Sequence, residues 1–405
     1  MSSLPAAPRS VDHDDTRWAA RHMPLLAHTM RTHGAAFAGR RIGICLHIEP
    51  KTAVLVSHLV QAGAQVTLTG SPGTTQEETA DALRAAGVDV VGHRSDDLEQ
   101  HRRNIATVLD SRPDLILDNG GDLIEGVLAR GGMPGLIGAT EETTTGGLRI
   151  RSWETQPDFP VIVINDSRLK LLVENEYGVG QSVVQGFMNA TNLMIPGSRA
   201  TVVGYGPCGQ GVADTLAHLG ARVAVADTDP YRALEALMAG HQVGDLRDLL
   251  PRTQLLFLAT GRPGVIGAAE LDVLADGTVI AGVGHMPWEV DSEALAARAV
   301  SVERSGSSGQ EREVYRLADD REIIVLAGTK MINLTAAKGN PIQAMDLGLT
   351  LQARSLAALT DRVGNALTAG AQPVPATIDR QVASGLVELL SVEPDRAGRP
   401  GMSAR

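Results

Sequence analysis

The chain has 405 residues with a formal net charge of −11, and 43% of its residues are hydrophobic and 20% charged, which is ordinary for a soluble globular protein of about two or three domains. The acidic balance, without a basic and aromatic patch, argues against a nucleic-acid partner, and no apolar stretch reaches the roughly 18 residues that cross a bilayer. Only two cysteines occur and the N-terminus has no apolar signal core, so we expect a cytoplasmic protein with no disulfide framework, no metal site and no membrane partner.

The first third of the chain alternates between apolar runs and amphipathic stretches. The runs lie at 42–46, 65–69, 88–91 and 115–117, and the amphipathic stretches lie at 52–62, 76–86 and 97–109, after a helical pattern at 18–31. Strands that alternate with helices predict an α/β fold with a doubly wound parallel sheet. In such sheets a ligand binds in the loops that follow the carboxyl ends of the strands. We therefore expect the functional side chains in those loops.

Polar residues occupy these loops repeatedly. The notable ones are His47, Glu49, Asn119, the segment EETTTG at 141–146, and the segment NDS at 165–167 that leads to Lys170 and Asn175. Taken singly, such residues are about twice as often caps or turns as site residues, because Asp, Asn, Ser and Thr favour those positions. Their repetition after successive strands favours a site instead.

The stretch at 198–230 has the order strand, glycine turn, helix, strand and acid. Apolar runs at 200–203 and 223–226 flank the turn GYGPCGQG at 204–211 and a helical pattern at 212–219, and Asp227 follows the second run. The glycines allow a tight turn and a close approach of the backbone to a pyrophosphate, whose charge is favourable at a helix N-terminus. Asp227 is placed to accept hydrogen bonds from a ribose diol and to repel the additional phosphate of NADP. The stretch therefore predicts a Rossmann domain that binds NAD.

Three further runs extend this Rossmann unit. They lie at 255–259, 278–283 and 323–326, and Thr260, Gly284 and Asn333 follow them. A long helical pattern covers 342–363 and another covers 378–390. The Pro-, Gly- and Arg-rich end of the chain predicts disorder.

Several motifs carry a resemblance to one enzyme family. LHIEPKTA at 46–53, LDNGGDL at 117–123, EETTTG at 141–146, GYGPCGQG at 204–211 and GHMPWEVD at 284–291 resemble, in order and spacing, motifs of the adenosylhomocysteinases (S-adenosyl-L-homocysteine hydrolases). The resemblance implies a substrate domain at 1–179 that a return helix at 337–365 completes, an inserted NAD-binding Rossmann domain at 180–336, and a C-terminal tail at 366–405. It also implies a small-molecule nucleoside substrate and a homo-oligomer, a tetramer or a dimer.

In that family NAD transiently oxidises the ribose 3′-hydroxyl, the C4′ proton leaves, and the group on C5′ is eliminated before water adds and the hydride returns. A 3′-ketone makes the elimination feasible without a metal because it stabilises negative charge at C4′. Carried over to this sequence, the resemblance implies that Lys170 acts on the 3′-hydroxyl, Glu142 grips the ribose diol and His47 shuttles a proton near C5′. Neutral histidine suits that task because its ordinary pKa lies near working pH. Asn175 and His285 would line the sugar and the nicotinamide.

The resemblance also implies sets of contact residues. The cofactor contacts would be Thr143, Thr144, Thr145, Asn175, Gly204, Gly206, Pro207, Cys208, Gly209, Asp227, Thr260, Gly284, His285 and Asn333. The substrate contacts would be Glu49, Lys51, Glu174, Asn340 and Met345.

The chain departs from the family at several of these positions. Asn119 stands where the family has an aspartate that assists proton transfer, and an amide cannot take a proton. Glu49 replaces a threonine, Lys51 a Glu or Gln, Glu174 an aspartate and Asn340 a histidine. The family's C-terminal Lys and Tyr, which reach into a neighbouring subunit's NAD site, have no counterpart in the ending RAGRPGMSAR.

Three functions are compatible with these residues. The first is a dehydratase of nucleoside-antibiotic biosynthesis, which keeps 3′-oxidation but expels water from the C5′ side of an adenine-type nucleoside; the changes at Asn119 and at the substrate contacts favour it. The second is an adenosylhomocysteinase that splits S-adenosylhomocysteine into adenosine and homocysteine. The third is a catalytically silent NAD-binding regulator, which the retention of His47, Lys170 and Asn175 argues against. We take the first as the prediction and the other two as alternatives.

Overall fold

The computed structural model describes Val11 and residues 13–284, 287–361 and 367–391. Its strands are β1 (Arg41–Cys45), β2 (Gln65–Thr69), β3 (Asp89–Val90), β4 (Leu115–Asp118), β5 (Gly138–Glu141), β6 (Pro160–Val163), β7 (Arg199–Val203), β8 (Arg222–Ala226), β9 (Gln242–Val243), β10 (Leu255–Leu258), β11 (Thr278–Gly282), β12 (Ala299–Ser305), β13 (Arg312–Leu317), β14 (Glu322–Leu326) and β15 (Gly370–Pro373).

Its α-helices are α1 (Asp14–Arg21), α2 (Pro24–His33), α3 (Pro50–Gln61), α4 (Glu77–Ala85), α5 (Leu98–Asp110), α6 (Asp122–Ala129), α7 (Thr144–Ser152), α8 (Arg168–Lys170), α9 (Val179–Thr191), α10 (Pro207–His218), α11 (Pro230–Met238), α12 (Leu246–Leu249), α13 (Ala268–Leu271), α14 (Ser292–Arg298), α15 (Ile332–Thr335), α16 (Ile342–Thr360) and α17 (Ala376–Ser391).

The chain divides into two compact units. The first holds the described residues up to Leu169 and from Asp346 onward, and the second is Lys170–Met345. The first unit contains a sheet in the order β15-β6-β5-β4-β1-β2-β3, in which every neighbouring pair is parallel. From β1 the chain winds outward through β2 and β3 and then returns to β4 on the other side of β1. The switch point, where parallel sheets bind ligands, therefore lies between β1 and β4.

The second unit contains a sheet in the order β12-β13-β14-β11-β10-β7-β8-β9. The pairs from β14 to β9 are parallel, whereas β12, β13 and β14 form an antiparallel edge. Its switch point lies between β7 and β10 by the same argument. The predicted α/β class, with one parallel-sheet unit and one Rossmann unit, is confirmed.

Apolar residues alternate between the two faces of the second sheet. Val202 and Phe257 belong to one buried cluster, and the adjacent Val203 and Leu258 belong to another. Successive side chains of a strand point to opposite faces, so helices must cover both sides to bury these clusters. In the first unit, Ile116 of β4 and Val161 of β6 lie in a third cluster.

One predicted helix is wrong, and several strands were not predicted. The helix predicted at 18–31 is two helices, α1 and α2, because Pro24 cannot donate a backbone hydrogen bond and instead begins a new helix. The edge strands β12 and β13 were not predicted, because most side chains of β12 are exposed and its sequence lacks an apolar run.

The division into units also differs from the predicted domain boundaries. Residues 170–179 and 337–345 lie in the second unit, where the predicted organisation gives them to the substrate domain. The backbone oxygen of Glu176 packs so closely on Gly211 of α10 that a Cβ at Gly211 would collide with it. This contact explains why the segment before α9 belongs with the second unit.

Candidate active site

The loops after β1 and β4 meet at the switch point of the first unit. His47 is half-buried, and its Nε2 lies 3.5 Å from Nδ2 of Asn119, itself 3% exposed. The two strands are direct neighbours, which brings together residues 72 positions apart in sequence. The structure therefore pairs the predicted proton shuttle with the amide that stands in the place of a carboxylate.

Glu49 and Lys51 form a buried ion pair in the same loop as His47. Their side-chain atoms Oε2 and Nζ are 2.9 Å apart, and Glu49 also caps α3 by accepting a hydrogen bond from the Lys51 backbone N–H. Burial of a charge pair is unfavourable unless its hydrogen bonds are well satisfied, so such a pair is uncommon outside functional or specifying positions. Both residues were predicted to contact substrate.

The EETTTG segment spans the end of β5 and the start of α7. Glu142 is buried and accepts a hydrogen bond from the side chain of Gln352 on α16. Thr143 caps α7, since its Oγ1 accepts from the Gly146 N–H at 2.9 Å. Thr144 and Thr145 are exposed, and the Thr144 hydroxyl accepts a hydrogen bond from the side chain of Asn165. Sequence reasoning missed Gln352, because nothing in the helical pattern marks it.

In the second unit, Lys170 precedes a π-helix that spans Leu171–Gly178. Its Nζ lies 3.0 Å from Oε2 of Glu174, one helical turn later, and both residues are buried. Asn175 follows on the same π-helix and is half-buried. π-Helices are rare and are concentrated at functional sites, where the additional residue re-aims side chains. Two predicted site residues, Glu174 and Asn175, thus lie on this irregular element, and Lys170 immediately precedes it.

A chain of polar side chains continues from Glu174. The Asn340 amide donates to Glu174 Oε1 at 3.4 Å, and Asn340 Oδ1 accepts from the hydroxyl of Ser182 at 3.0 Å. Asn333 donates to the same Ser182 hydroxyl at 3.3 Å, and its own Oδ1 is buried without a hydrogen-bond partner in the described part of the chain. Met345, at the end of this unit, is half-buried. The predicted substrate contact Asn340 is therefore linked to the predicted cofactor contact Asn333.

The glycine turn between β7 and α10 has the geometry that the sequence predicts. Gly204 has a φ of +91°, and a Cβ at Gly209 would collide with the carbonyl oxygen of Gly204. Around Gly206 a Cβ would meet nothing within 4 Å, which leaves open space at the start of the helix. Pro207 occupies the first helical position, where no N–H is needed. Burial raises the pKa of the Cys208 thiol to about 12, so this thiol stays neutral.

Asp227 lies at the carboxyl end of β8 and joins two turns. Its Oδ2 accepts from the Tyr205 N–H at 2.6 Å and its Oδ1 from the Asp229 N–H at 2.8 Å. Each carboxylate oxygen has two lone pairs, so both retain capacity for ribose hydroxyls. The acid is thus held beside the glycine turn, as a dinucleotide site requires.

The ends of β10 and β11 are joined by Glu289. Its Oε2 accepts from both the N–H and the hydroxyl of Thr260, at 3.0 and 2.5 Å, and burial raises its pKa. A Cβ at Gly284 would meet Oε1 of the same carboxylate at 2.5 Å. The predicted His285 lies outside the described residues.

These features fit a bound dinucleotide. The open space at Gly206, the left-handed Gly204 and the acid at Asp227 form the cradle, and the unsatisfied Oδ1 of Asn333 offers an acceptor in the same unit. Within the described ranges, no group of three or more His, Cys, Asp or Glu side chains is arranged to hold a metal ion. In the same ranges, no helix combines the length and the apolar character needed to cross a bilayer. Fold and site define a two-unit α/β enzyme that uses NAD.

Comparison with known proteins names the family. Residues 10–133 match the family model described as S-adenosyl-L-homocysteine hydrolase, and residues 175–339 match the model of that enzyme's NAD-binding domain. The chain belongs to the adenosylhomocysteinase family, and it is an NAD-dependent, hydrolase-like enzyme.

Similar proteins match almost the whole chain. An S-inosyl-L-homocysteine hydrolase of Methanopyrus kandleri is 37% identical over 94% of this chain and 91% of its own length. An adenosylhomocysteinase of Thermococcus kodakarensis is 37% identical over 95% and 90%, and one of Archaeoglobus fulgidus is 36% identical over 94% and 94%. A dipicolinate synthase polypeptide of Bacillus halodurans shares the fold, with a TM-score of 0.50 and 13% identity over 80% of this chain and 99% of its own.

These relatives bear on the predicted function. They favour the hydrolase alternative over the predicted dehydratase, because the similar proteins carry hydrolase names and none of those named above is a dehydratase. The dependence on NAD is supported by the matching NAD-binding domain.

Proposed function

We propose that the protein hydrolyses the thioether of an S-nucleosyl-L-homocysteine and releases the nucleoside and homocysteine. The observation that carries the proposal is the buried ion pair of Lys170 and Glu174, which lies in the same unit as the glycine turn for NAD. Similarity to adenosyl- and inosyl-homocysteine hydrolases over at least 90% of the lengths of the first two relatives supports the same substrate class.

The cofactor would be held by the glycine turn, Asp227, Thr260 and Asn333. When bound, NAD supplies a reversible acceptor for the hydride of the ribose C3′ carbon. Lys170 would take the proton of the 3′-hydroxyl, and Glu174, at 3.0 Å, would orient its amine and stabilise the ammonium form. Asn340 would in turn fix the Glu174 carboxylate from its other oxygen.

In the first unit, Glu142 would accept hydrogen bonds from the ribose hydroxyls. Gln352 donates to its carboxylate and so limits its rotation. A carboxylate with a fixed orientation can bind two adjacent hydroxyls more tightly than a freely rotating one, because less rotamer entropy is lost. We therefore assign Glu142 to substrate positioning and not to proton transfer.

His47 would carry the proton at the C5′ side. Elimination of a thiol transfers the C4′ proton to a base and needs a proton for the sulfur, and addition of water reverses both transfers. Asn119 cannot supply either, since an amide does not titrate, so His47 would perform both steps while Asn119 orients its ring. This arrangement uses one titrating group where the family uses two.

The Asn119 position also favours a second candidate, a nucleoside dehydratase. Such an enzyme would keep the oxidation at C3′ and the loss of the C4′ proton, and it would expel water from C5′ without adding it back. The lost carboxylate fits a reaction with fewer proton transfers.

We further propose that the protein is a cytoplasmic homo-oligomer, a dimer or tetramer. Light scattering of the purified protein tests the oligomeric state.

Thiol release tests the two candidates against each other. The purified protein with NAD is incubated with S-adenosylhomocysteine, S-inosylhomocysteine, or an adenine nucleoside that has a free 5′-hydroxyl, and free thiol and nucleoside are quantified. Homocysteine from either thioether supports the hydrolase. Loss of one water from the nucleoside, without thiol release from the thioethers, would replace it with the dehydratase. The Lys170→Ala variant provides the background.

A further inference from the structure

Asp118 and Glu141 are two carboxylates that end adjacent strands. Asp118 is the last residue of β4 and Glu141 the last of β5, and the strand register pairs them directly. Both residues are fully buried. Two buried carboxylates on directly paired residues are unfavourable when both are ionised, so their presence here calls for a physical explanation.

Both carboxylates bind the turn that carries Asn119. Oδ1 of Asp118 accepts from the Asn119 N–H at 3.0 Å, and Oε1 of Glu141 accepts from the next N–H, of Gly120, at 2.9 Å. The other oxygen of Asp118, Oδ2, accepts from the Ile124 N–H at 2.9 Å and so links this turn to α6. The turn is thus held at two successive amides.

Further contacts hold the Glu141 carboxylate in this position. Its Oε1 also accepts from the N–H and the hydroxyl of Thr143, at 2.9 and 2.7 Å. A Cβ at Gly146 would collide with the carboxylate, so only glycine fits there. Oε2 of Glu141 is buried and, among the described residues, has no hydrogen-bond partner. An oxygen without a donor is the natural place for a proton, since a protonated oxygen loses less by burial than a charged one.

The groups that face the pair are acidic or neutral. Asp122 of α6 and the neighbouring Glu142 repel further negative charge, and the Cys45 thiol of β1 lies within their field. The basic side chains nearby, His101 and Arg149, are hydrogen-bonded to Asp122. In the described ranges neither Asp118 nor Glu141 has an ion-pair partner. Burial and mutual repulsion raise the pKa of Asp118 well above its usual range, and burial raises that of Glu141 to about 7.

We propose that Asp118 and Glu141 retain one proton between them in the working protein, and that this half-neutral pair is a positioning device that sets Asn119 against His47. The pair touches neither reacting atom; it acts through the turn. Its effect on turnover rests on the proposed function, whereas its effect on the turn does not.

The pair gives the site a pH limit at its upper end. Below pH of about 4.5, the ordinary pKa of a glutamate, Glu141 is protonated in both the native and the unfolded state, so its ionisation does not lower the stability of the native state. As pH rises through about 7, Glu141 ionises, and its charge raises the pKa of Asp118 further; once Asp118 has also ionised, two buried anions face each other and the turn loosens. The geometry between Asn119 and His47 should therefore weaken above neutral pH.

Glu141→Gln is the variant that tests this device. In this variant the side-chain oxygen still accepts hydrogen bonds from the same three donors. The amide NH₂ group takes the place of the protonated oxygen but does not titrate. We expect kcat/KM within about threefold of the natural protein at pH near 6, and no fall above neutral pH where the natural protein falls about tenfold. Glu141→Ala leaves three buried donors unsatisfied and should lose at least about tenfold at every pH. Glu176→Gln, at a half-buried carboxyl of the other unit, is the control and should keep the fall.

Carbon-13 NMR of the carboxyl groups tests the pair without turnover. The Glu141 signal, identified by its absence in Glu141→Gln, should titrate near pH 7, and the Asn119 side-chain amide should shift with it. A Glu141 midpoint below about 5, or the same Asn119 shift in Glu141→Gln, overturns the inference. Absence of turnover on every substrate would instead overturn the proposed function, and the NMR titration would still decide the role of the pair.

Discussion

Lys170 and Glu174 form an ion pair of 3.0 Å whose side chains are only 3% and 8% exposed. The pair begins a π-helix and continues through Asn340 and Ser182 to Asn333. An amine held in this way can both give and take a proton at one fixed place, which oxidation of a sugar hydroxyl requires. Under the proposed function, the chemistry of the second unit would therefore depend on Lys170.

Lys170→Ala should abolish NADH formation with any nucleoside. Loss of a positioned general base lowers the rate by about a hundredfold to ten-thousandfold. The absorbance of NADH measures it in single turnovers. Lys170→Arg is the matched control, since it keeps the charge beside Glu174 but cannot release its proton, and it should be equally inactive. An unchanged absorbance trace in Lys170→Ala would remove this residue from the mechanism.

Asn119→Asp should raise the rate of S-adenosylhomocysteine cleavage. A carboxylate at this position can exchange protons with His47, which an amide 3.5 Å away cannot. The gain should be about tenfold, less than the full effect of a general acid or base, because His47 already carries the proton. Homocysteine release under saturating substrate measures it. No gain would mean that contacts to the base and the amino-acid tail, and not this proton, limit the reaction.

Gly206→Ala should weaken NAD binding without destabilising the protein. Gly206 has φ −67° and ψ 179°, which alanine adopts freely, and the space around its Cβ is open. A pyrophosphate against this backbone would collide with the new methyl group, so we expect NAD affinity to fall at least about tenfold. Calorimetry measures the affinity and thermal unfolding the stability.

Gly209→Ala is the contrast to that variant. Its Cβ would collide with the carbonyl of Gly204 in the protein itself, so it should lose stability as well as NAD affinity. Equal NAD affinity of Gly206→Ala and the natural protein would show that the cofactor does not use this space.

Lys51→Met should destabilise the first unit by about 3–5 kcal/mol, because it leaves the Glu49 carboxylate buried and without its cation. The double variant Glu49→Gln with Lys51→Met should recover most of that loss, since no charge stays buried. Urea unfolding measures both. A loss below about 0.5 kcal/mol in the single variant would mean that the pair opens to solvent.

Asp346 should make the protein less stable as pH rises from about 4 to about 6. Its carboxylate accepts from the Leu25 and Leu26 N–H groups, yet burial raises its pKa to about 6 from the usual 3.8. The native state therefore binds this proton more tightly, and the stability that it gives at low pH, about 3 kcal/mol, is lost through that window. Urea unfolding at several pH values measures the slope, and Asp346→Asn should reduce it. An identical slope in the variant would contradict this assignment.

The sequence allowed the central strands of both sheets to be predicted where they are short apolar runs. The run at 42–46 corresponds to β1 and that at 200–203 to β7, and Gly204 in the predicted glycine turn has a left-handed φ of +91°. The break at Pro24 was visible as a proline but was outweighed by the helical spacing around it. β12 is largely exposed, and β13 contributes only Tyr315 and Leu317 to the core, so neither strand has an apolar run to mark it.

Candidate site residues could be proposed from the sequence where a motif or a strand end marked them. His47 and Asn119 follow neighbouring strands, so their meeting follows from topology. Gln352 could not be selected in this way, and Glu141, although it ends β5 within the EETTTG segment, could not be given a role of its own, because the contacts of both residues depend on burial and on distant residues. The hydrogen bond from Asn340 to Glu174 could not be predicted either, because the two residues lie 166 positions apart in sequence.

The most direct test of the proposed hydrolase mechanism is cleavage of S-adenosyl- and S-inosylhomocysteine in deuterium oxide, with the nucleoside product analysed by mass spectrometry and NMR. We expect homocysteine together with a nucleoside that has gained one solvent deuterium at C4′, because the C4′ proton leaves and returns while the C3′ hydrogen is kept by the cofactor. Homocysteine with no deuterium at C4′, or no cleavage of either thioether, would contradict the mechanism.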